Sequence, residues 1–337
     1  MTTRQRNVLT IVVAAYNEAD ALPMLHARLR PVLDAMGDVE ARILYVDDGS
    51  RDGSWAVMQR LAAQDSRVAL LRLSRNFGKE AALTAGLDQV AEGAAMILDA
   101  DAQDPPELIP QFVAKWREGF DNVYGRRSAR AGESLAKRTT ASLFYRVIGR
   151  LSRTPVPEDT GDFRLLSPRA LAALRELRER HRFMKGLFGW VGFNSVEIAY
   201  EREARIAGDS KFSFWKLWNL ALEGITSFST APLRISTYLG LLTALVALAY
   251  GAYIVIKALR YGDPVAGWPS MMAVILFLGG VQLVALGMIG EYLGRLYVEA
   301  KQRPLYVVAD WQPGEGPAYA GRESGTRSGH ASGAASA

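Results

Sequence analysis

From Val8 to about Ala204, short apolar runs alternate with stretches whose apolar residues return every three or four positions. Continuous apolar runs between polar turn residues predict strands buried on both faces, and the 3.6-residue period predicts helices packed against them. Leu9-Thr10-Ile11-Val12-Val13 reads as the first strand and Ile43-Leu44-Tyr45-Val46 as the second. Val68-Ala69-Leu70-Leu71-Arg72-Leu73, Met96-Ile97-Leu98 and Asn122-Val123-Tyr124 follow as third, fourth and fifth. Helix-period segments fill 19–36, 54–64 and 79–91. This alternation predicts an α/β domain with a mostly parallel sheet.

The last third changes character. Residues 235–256 and 265–290 contain no charged side chain, and each run exceeds the ~20 residues that cross hydrocarbon as a helix. A buried soluble helix passes the same test, but two such runs split by Lys257-Ala258-Leu259-Arg260-Tyr261-Gly262-Asp263-Pro264 predict a transmembrane hairpin. Arg234 before the pair and Arg295, Lys301 and Arg303 after it outnumber Lys257 and Arg260 between the spans. That bias predicts a multi-pass protein of the inner membrane with both ends and the α/β domain in the cytoplasm. Just before the hairpin, Phe214, Leu217, Trp218, Ala221, Leu222, Ile225 and Phe228 share one helical face opposite Lys216, Asn219 and Glu223. A helix lying in the headgroup layer fits, and an amphipathic core helix is the other reading. The expected divisions are 1–210 for the α/β domain, 211–231 for the interfacial helix and 232–298 for the hairpin. A tail fills 299–337, Gly/Ser/Ala-rich and disordered from about 314.

Composition narrows the chemistry. The 337 residues hold no cysteine and three scattered histidines, which excludes disulfides, thiolate metal sites and a cysteine nucleophile and argues against zinc. The net charge of +5 suits an anionic partner. No basic run with interleaved aromatics accompanies it, so lipid and phosphate are expected and nucleic acid is not.

The candidate chemistry lies where strands end, because open α/β sheets bind ligands at that edge. The fourth strand runs into Asp99-Ala100-Asp101-Ala102-Gln103, a set of hard oxygen donors suited to Mg²⁺ or Mn²⁺. The alternative is that both aspartates cap the helix begun by Pro105-Pro106-Glu107. The first strand ends in Ala14-Ala15-Tyr16-Asn17-Glu18 and the second in Asp47-Asp48-Gly49-Ser50-Arg51-Asp52. An aromatic ring and carboxylates there can hold a base and a ribose, or Asp48, Ser50 and Asp52 can simply shape the turn. Gly125-Arg126-Arg127-Ser128-Ala129-Arg130 supplies guanidiniums that match phosphate, although a solvated charged face would use some of them. Pro157-Glu158-Asp159-Thr160-Gly161-Asp162-Phe163-Arg164 reads as a turn-like segment, in which Asp162 is able to pair with Arg164. Arg205-Ile206-Ala207-Gly208-Asp209-Ser210-Lys211 sets cations beside the interfacial helix.

Together these motifs resemble family-2 glycosyltransferases of GT-A fold. With 205–211 and the two spans, the chain is similar to polyprenyl-phosphate glycosyltransferases, relatives of dolichyl-phosphate mannose synthase, over about 8–303. The resemblance implies an inverting, metal-dependent transferase moving a sugar from a nucleotide-sugar to a polyprenyl phosphate. It implies nucleotide-sugar contacts from Ala14, Tyr16, Glu18, Tyr45, Asp47, Asp99, Ala100, Asp101, Arg127, Arg205 and Lys211, with metal ligation by Asp101 and Gln103. Acceptor-phosphate contacts would come from Arg130, Arg205, Ser210 and Lys211, and the catalytic set would be Asp159, Asp101 and Arg127. Ala14 stands where the family usually has proline, which softens the turn without removing a reactive group. Residues 127–133 and Lys185-Gly186-Leu187-Phe188 look most like bactoprenol glucosyltransferases, so UDP-glucose is the expected donor. UDP-N-acetylglucosamine, GDP-mannose and a homo-oligomeric assembly stay open. A processive polysaccharide synthase would need a Q-x-x-R-W motif, to which Arg182-Phe183-Met184-Lys185-Gly186 does not conform. A non-catalytic scaffold of the same fold is the remaining rival, to be separated by metal-dependent nucleotide turnover.

Overall fold

A computed structural model describes residues 8–127, 160–180, 182–201, 231–261 and 267–314. The first half alternates as the sequence predicts: β1 Val8–Ala15, α1 Ala21–Asp34, β2 Glu40–Asp47, α2 Ser54–Gln64, β3 Val68–Leu73, α3 Lys79–Gln89, β4 Ala94–Asp99, α4 Ile109–Arg117 and β5 Asn122–Arg127. There follow β6 Thr160–Leu166, α5 Pro168–Glu176, α6 Met184–Trp190, β7 Ser195–Tyr200, α7 Ala231–Tyr261, α8 Trp268–Ala300 and β8 Val308–Gln312. One sheet takes all eight strands in the order β7-β5-β6-β4-β1-β2-β3-β8. β1 to β4 pair in parallel, as do β5 and β7, while β6 and β8 run antiparallel to their neighbours.

The strands are apolar on both faces because helices cover both. Leu9, Ile11, Val13 and Ala15 of β1 join Leu22, Leu25, Leu29 and Leu33 of α1 in one layer of core with α2 and α4. Val12, Leu44, Val46 and Leu71 face the other way, against α3, α5 and α6. The α3 contact is so close that a Cβ on Gly86 would come within 2.5 Å of Val12 Cγ1. That approach fixes the start of α3 over the C-terminal ends of the central strands.

Two segments depart from the sequence expectation. Residues 160–164, expected as a turn, begin β6, a fully buried strand between β4 and β5. Its pattern has period two, with Phe163 and Leu165 packed in one core layer and Asp162 and Arg164 on the opposite face. The polar residues survive burial because each finds a charged or aromatic neighbour. Second, the stretch assigned to a tail from residue 299 supplies β8, which closes the sheet edge beside β3.

α7 and α8 are 31 and 33 residues long and pack against each other. They are long and apolar enough to cross a membrane, with windows at Ser236–Tyr253 and Phe277–Ala300. Side chains such as Leu241 (58% exposed) and Leu286 (65% exposed) point outward with nothing over them, unlike a soluble core helix. The far end of α8 is bound to the α/β domain. Glu299 accepts from the Arg180 amide at 3.1 Å, Arg180 Nε donates to the Arg303 carbonyl at 3.0 Å, and Tyr306 donates to Asp88 at 2.8 Å. Tyr306 and Trp311 then pack on the α3 side of the core.

Ending the chain at Arg303 should therefore strip a strand and two aromatic contacts from the β3 edge. The expected result is a thermal midpoint lowered by several degrees in detergent and increased aggregation through the bared edge; an unchanged midpoint would show that β8 adds nothing to stability.

Candidate functional site

The loops at the C-terminal edge of the sheet are tied to one another by side chains reaching backbone amides. Ser50 Oγ accepts from the Asn17 amide at 3.0 Å, and Asn17 Oδ1 accepts from the Arg51 amide at 2.9 Å. Ser54 Oγ accepts from the Glu18 amide at 2.9 Å, and Asp52 accepts from the amides of Ala19 and Ser54. Ser50 and Asp52 are thus turn-formers. Asp48 holds the next loop, its two carboxylate oxygens accepting from the amides of Phe77 and Gly78 at 2.8 and 2.9 Å. Burial pushes the Asp48 carboxyl up, against the pull of those two amides. Gly49 has φ +66°, and a Cβ there would lie 2.4 Å from the Arg75 carbonyl carbon.

These loops wall a cleft of about 290 Å³ lined by Ala14, Ala15, Tyr16, Glu18, Asp48, Asn76, Gly78, Lys79, Ala82, Asp99, Ala100 and Asp101. Of the expected contacts, Ala14, Tyr16, Glu18, Asp99, Ala100 and Asp101 meet here, with Tyr16 40% exposed at the mouth. Tyr45 and Asp47 do not line it. Both lie on the β2 face turned toward α1 and α2. Tyr45 is fully buried with its hydroxyl 3.1 Å from His26 Nδ1. Asp47, also fully buried, accepts from the Ser50 amide at 2.9 Å and lies 3.1 Å from Arg72 Nε, so it shapes the turn below the cleft.

A charge cluster closes the inner end. Lys79 Nζ stands 2.7 Å from Asp99 Oδ1 and 2.6 Å from Asp162 Oδ2. Desolvation works against its charge, but the carboxylates of Asp99 and then Asp162 outweigh it and raise its pKa. Asp162 is desolvated too, yet Lys79 and Lys185 hold its carboxyl below the usual range. Asp162 thus takes Lys79 as its close ion-pair partner, while Arg164 donates to the Gly161 carbonyl at 3.0 Å and stacks 3.7 Å from the Phe188 ring centroid. Glu80 accepts from the Met184 amide at 3.1 Å, and burial, aided by repulsion from Asp162, pushes its pKa up to about 7. Lys185 is lowered by burial.

The loop after β4 presents the metal-type donors. Asp101 Oδ1 accepts from the Gln103 amide at 3.2 Å, and Ala102 between them is buried at φ +56°, a backbone region costly for a residue with a Cβ. Neither Asp99 nor Asp101 caps α4, whose N-terminus has no side-chain cap. Arg28 fastens the loop from α1, donating to Glu107 at 3.0 and 2.8 Å and to the Ala102 carbonyl at 3.3 Å. Among the described residues no three Asp, Glu or His side chains converge as a complete ion cage. The donor set, a cleft-facing carboxylate and a neighbouring amide, fits a hard cation shared with an oxygen-rich ligand.

Arg127 lies at the end of β5 with its guanidinium over Gly161, where a Cβ would be 3.1 Å from Nη2. Arg130, Asp159, Arg205, Ser210 and Lys211, and the expected interfacial helix at 211–231, lie outside the described residues. The sequence reading did not pick out Lys79, Asn76, Glu80, Asp104 or Tyr200 as site residues. Asn76, Gly78 and Lys79 carried a signal, a polar, glycine-containing turn before a helix at the same strand edge.

Residues 10–175 match the family described as glycosyl transferase family 2, and residues 231–296 match the family described as GtrB C-terminal hairpin. The chain is 49% identical over 302 residues to an uncharacterized glycosyltransferase of Synechocystis sp., covering 90% of this chain and 95% of that one. It is 45% identical over 300 residues to the bactoprenol glucosyl transferase of Shigella phage SfV, covering 89% and 97%. A solved mannosyltransferase from Pyrobaculum calidifontis, in complex with GDP-Man and Mn²⁺, aligns at 16% identity and TM-score 0.45 over 87% of both chains.

The raised Glu80 carboxyl has a measurable consequence. Between its ordinary pKa of 4.5 and about 7, the folded chain keeps a proton that the unfolded chain has released, so stability falls as pH rises through that window. Glu80→Gln keeps an acceptor for Met184 and removes the titration. The wild-type thermal midpoint should drop relative to the variant between pH 5 and pH 8, by an amount worth on the order of 1 kcal/mol; parallel curves would refute the burial of an ionising Glu80.

Proposed function

The chain belongs to glycosyl transferase family 2, and from that premise we propose that it transfers glucose from UDP-glucose to a polyprenyl monophosphate with inversion at the anomeric carbon. One observation carries the reading. A cleft walled by an aromatic ring and carboxylates at a sheet's ligand edge shares a chain with two outward-apolar helices, and α8 is bolted to the domain holding the cleft. The phage relative's name, bactoprenol glucosyl transferase, supports both the lipid acceptor and the sugar.

In this reading Tyr16 offers its ring to the base, while Glu18 and Asp99 face the nucleoside and ribose. Asp101 and Gln103 would hold Mg²⁺ or Mn²⁺ together with the donor diphosphate, where the ion would offset charge on the leaving group. Arg127 adds a fixed positive charge on the same side. The acceptor brings its own nucleophile, since a phosphate monoester with a second pKa of ~6 is already anionic near neutral pH. No strong general base is required, and catalysis rests on positioning and charge stabilisation. Arg130, Arg205, Ser210 and Lys211 are assigned to the lipid phosphate, and Asp159 to orienting it or to stabilising charge at the anomeric carbon. The two spans would lie in the inner membrane with the catalytic domain and both termini in the cytoplasm.

Membranes holding the full chain, given a panel of labelled nucleotide-sugars and undecaprenyl phosphate, should yield polyprenyl-phosphate glucose by lipid mass spectrometry. Asp101→Ala should lower that yield at least 10²–10³-fold, roughly the loss when one transition-state charge stabiliser is removed. A product with a longer glycan, or no product with any donor, would overturn the reading.

Topology is open to direct labelling because the chain has no cysteine. A cysteine at the exposed Asp38 should react only from the cytoplasmic face and one at Gly262 only from outside. Reaction of both from one side would rule out the spanning hairpin.

A further inference from the structure

Tyr200, on the edge strand β7, reaches inward to the loop that carries Asp101 and Gln103. It is the register partner of Arg127 across the β5–β7 pair and is 5% exposed. Its hydroxyl donates to Asp104 Oδ1 at 2.6 Å, and the phenol and the Asp104 carboxylate both favour the charge of the neighbouring Arg127 guanidinium. Glycine makes the seat for the ring: a Cβ at Gly125 would lie 2.7 Å from Tyr200 Cε1 and 2.8 Å from Phe163 Cδ1. Phe163 meets the ring edge-on at 5.4 Å between centroids. Asp104 is 1% exposed and adjoins Gln103 in sequence. A carboxylate so deeply buried is costly without a donor, and the phenol supplies one. One hydroxyl therefore holds the end of the donor loop, next to the Arg127 cation paired with it across β5 and β7. On the other side of the same loop, Arg28 grips Ala102 and Glu107. The strained Ala102 backbone is thus pinned between two anchors, of which Tyr200 is the one that also pairs with Arg127 across the sheet.

We propose that Tyr200 is a positioning residue whose hydroxyl locks the Asp101–Gln103 loop and Arg127 into one rigid unit for binding a nucleoside diphosphate. The assignment of a ligand rests on the glycosyltransferase reading, whereas the locking itself does not. β7 is also the last described strand before α7 in sequence, so this contact ties the donor loop to the part of the chain that leads toward the apolar helices.

Tyr200→Phe keeps the ring in its seat and removes only the hydroxyl. In the full-length protein in detergent, hydrogen exchange in peptides spanning 99–108 should rise while β1 and β2 stay protected. With Mn²⁺ present, UDP affinity should fall about ten- to a hundredfold, the size expected for losing a hydrogen bond to a buried charge. In transfer assays the loss should fall mainly on donor KM, with a smaller change in kcat. Asp104→Asn, which keeps an acceptor, should show a weaker version, and the double variant should be no worse than Tyr200→Phe, because coupled groups are non-additive. Wild-type exchange at 99–108 in Tyr200→Phe would overturn the proposal. So would a lowered thermal midpoint with unchanged donor KM and UDP affinity, which marks a structural role alone. If the wild type transfers no sugar at all, the functional reading fails, and exchange at 99–108 still decides the locking role of Tyr200.

Discussion

Lys79 stands between two carboxylates that the sheet itself brings together. β4 and β6 pair antiparallel with Ile97 opposite Arg164, which brings Asp99 and Asp162 to the same end of the pair, both on Lys79. Like charges brought close on adjacent strands are destabilising. The ammonium at 2.7 and 2.6 Å from the two residues neutralises that repulsion. Its position is set by α3, whose close approach at Gly86 and tether to Asp48 leave the first helical turn over the strand ends. The strand ends, the start of α3 and the inner wall of the cleft thus depend on one ion triplet.

Around this triplet the cleft is held by polar contacts, whereas the sheet beneath it is held by apolar packing. The β1–α1 and β2–α2 loops exchange side-chain-to-amide hydrogen bonds, and the post-β4 loop is pinned by Arg28 on one side and Tyr200 on the other. Such bonds let Asn17 and Ala102 keep positive φ values that a freer loop would relax. The cleft-lining groups Tyr16, Glu18, Asp99 and Asp101 are therefore presented on preset backbone, which lowers the ordering cost of binding anything there.

The apolar helices bear on the same site through their ends. Glu299, Arg303 and Tyr306 fasten the exit of α8 to the α5–α6 connection and to α3, and β8 continues into the sheet. The exit of α8 is thus fastened to the same domain that carries the cleft.

The sequence by itself determined the five leading strands, the helices between them, the apolar helix pair and the strand ends that border the cleft, because continuous apolar runs and helical periods are local signals. It also singled out Tyr16, Glu18, Asp99 and Asp101, which the strand ends bring to one cleft. β6 and β8 escaped it. β6 places Asp162 and Arg164 where a local reading sees a polar turn, and their burial is tolerable only beside Lys79 and Phe188, residues distant in sequence. β8 is short and carries Asp310 and Gln312, so its strand character comes from the open edge of β3 that it covers. The resemblance implied Tyr45 and Asp47 as nucleotide contacts, but both face the α1 and α2 layer, because side chains along a strand alternate between the two faces. The strand-end motifs thus pointed to the cleft. Pairing register and the convergence of distant charges, which only the folded sheet supplies, decided which side chains meet there.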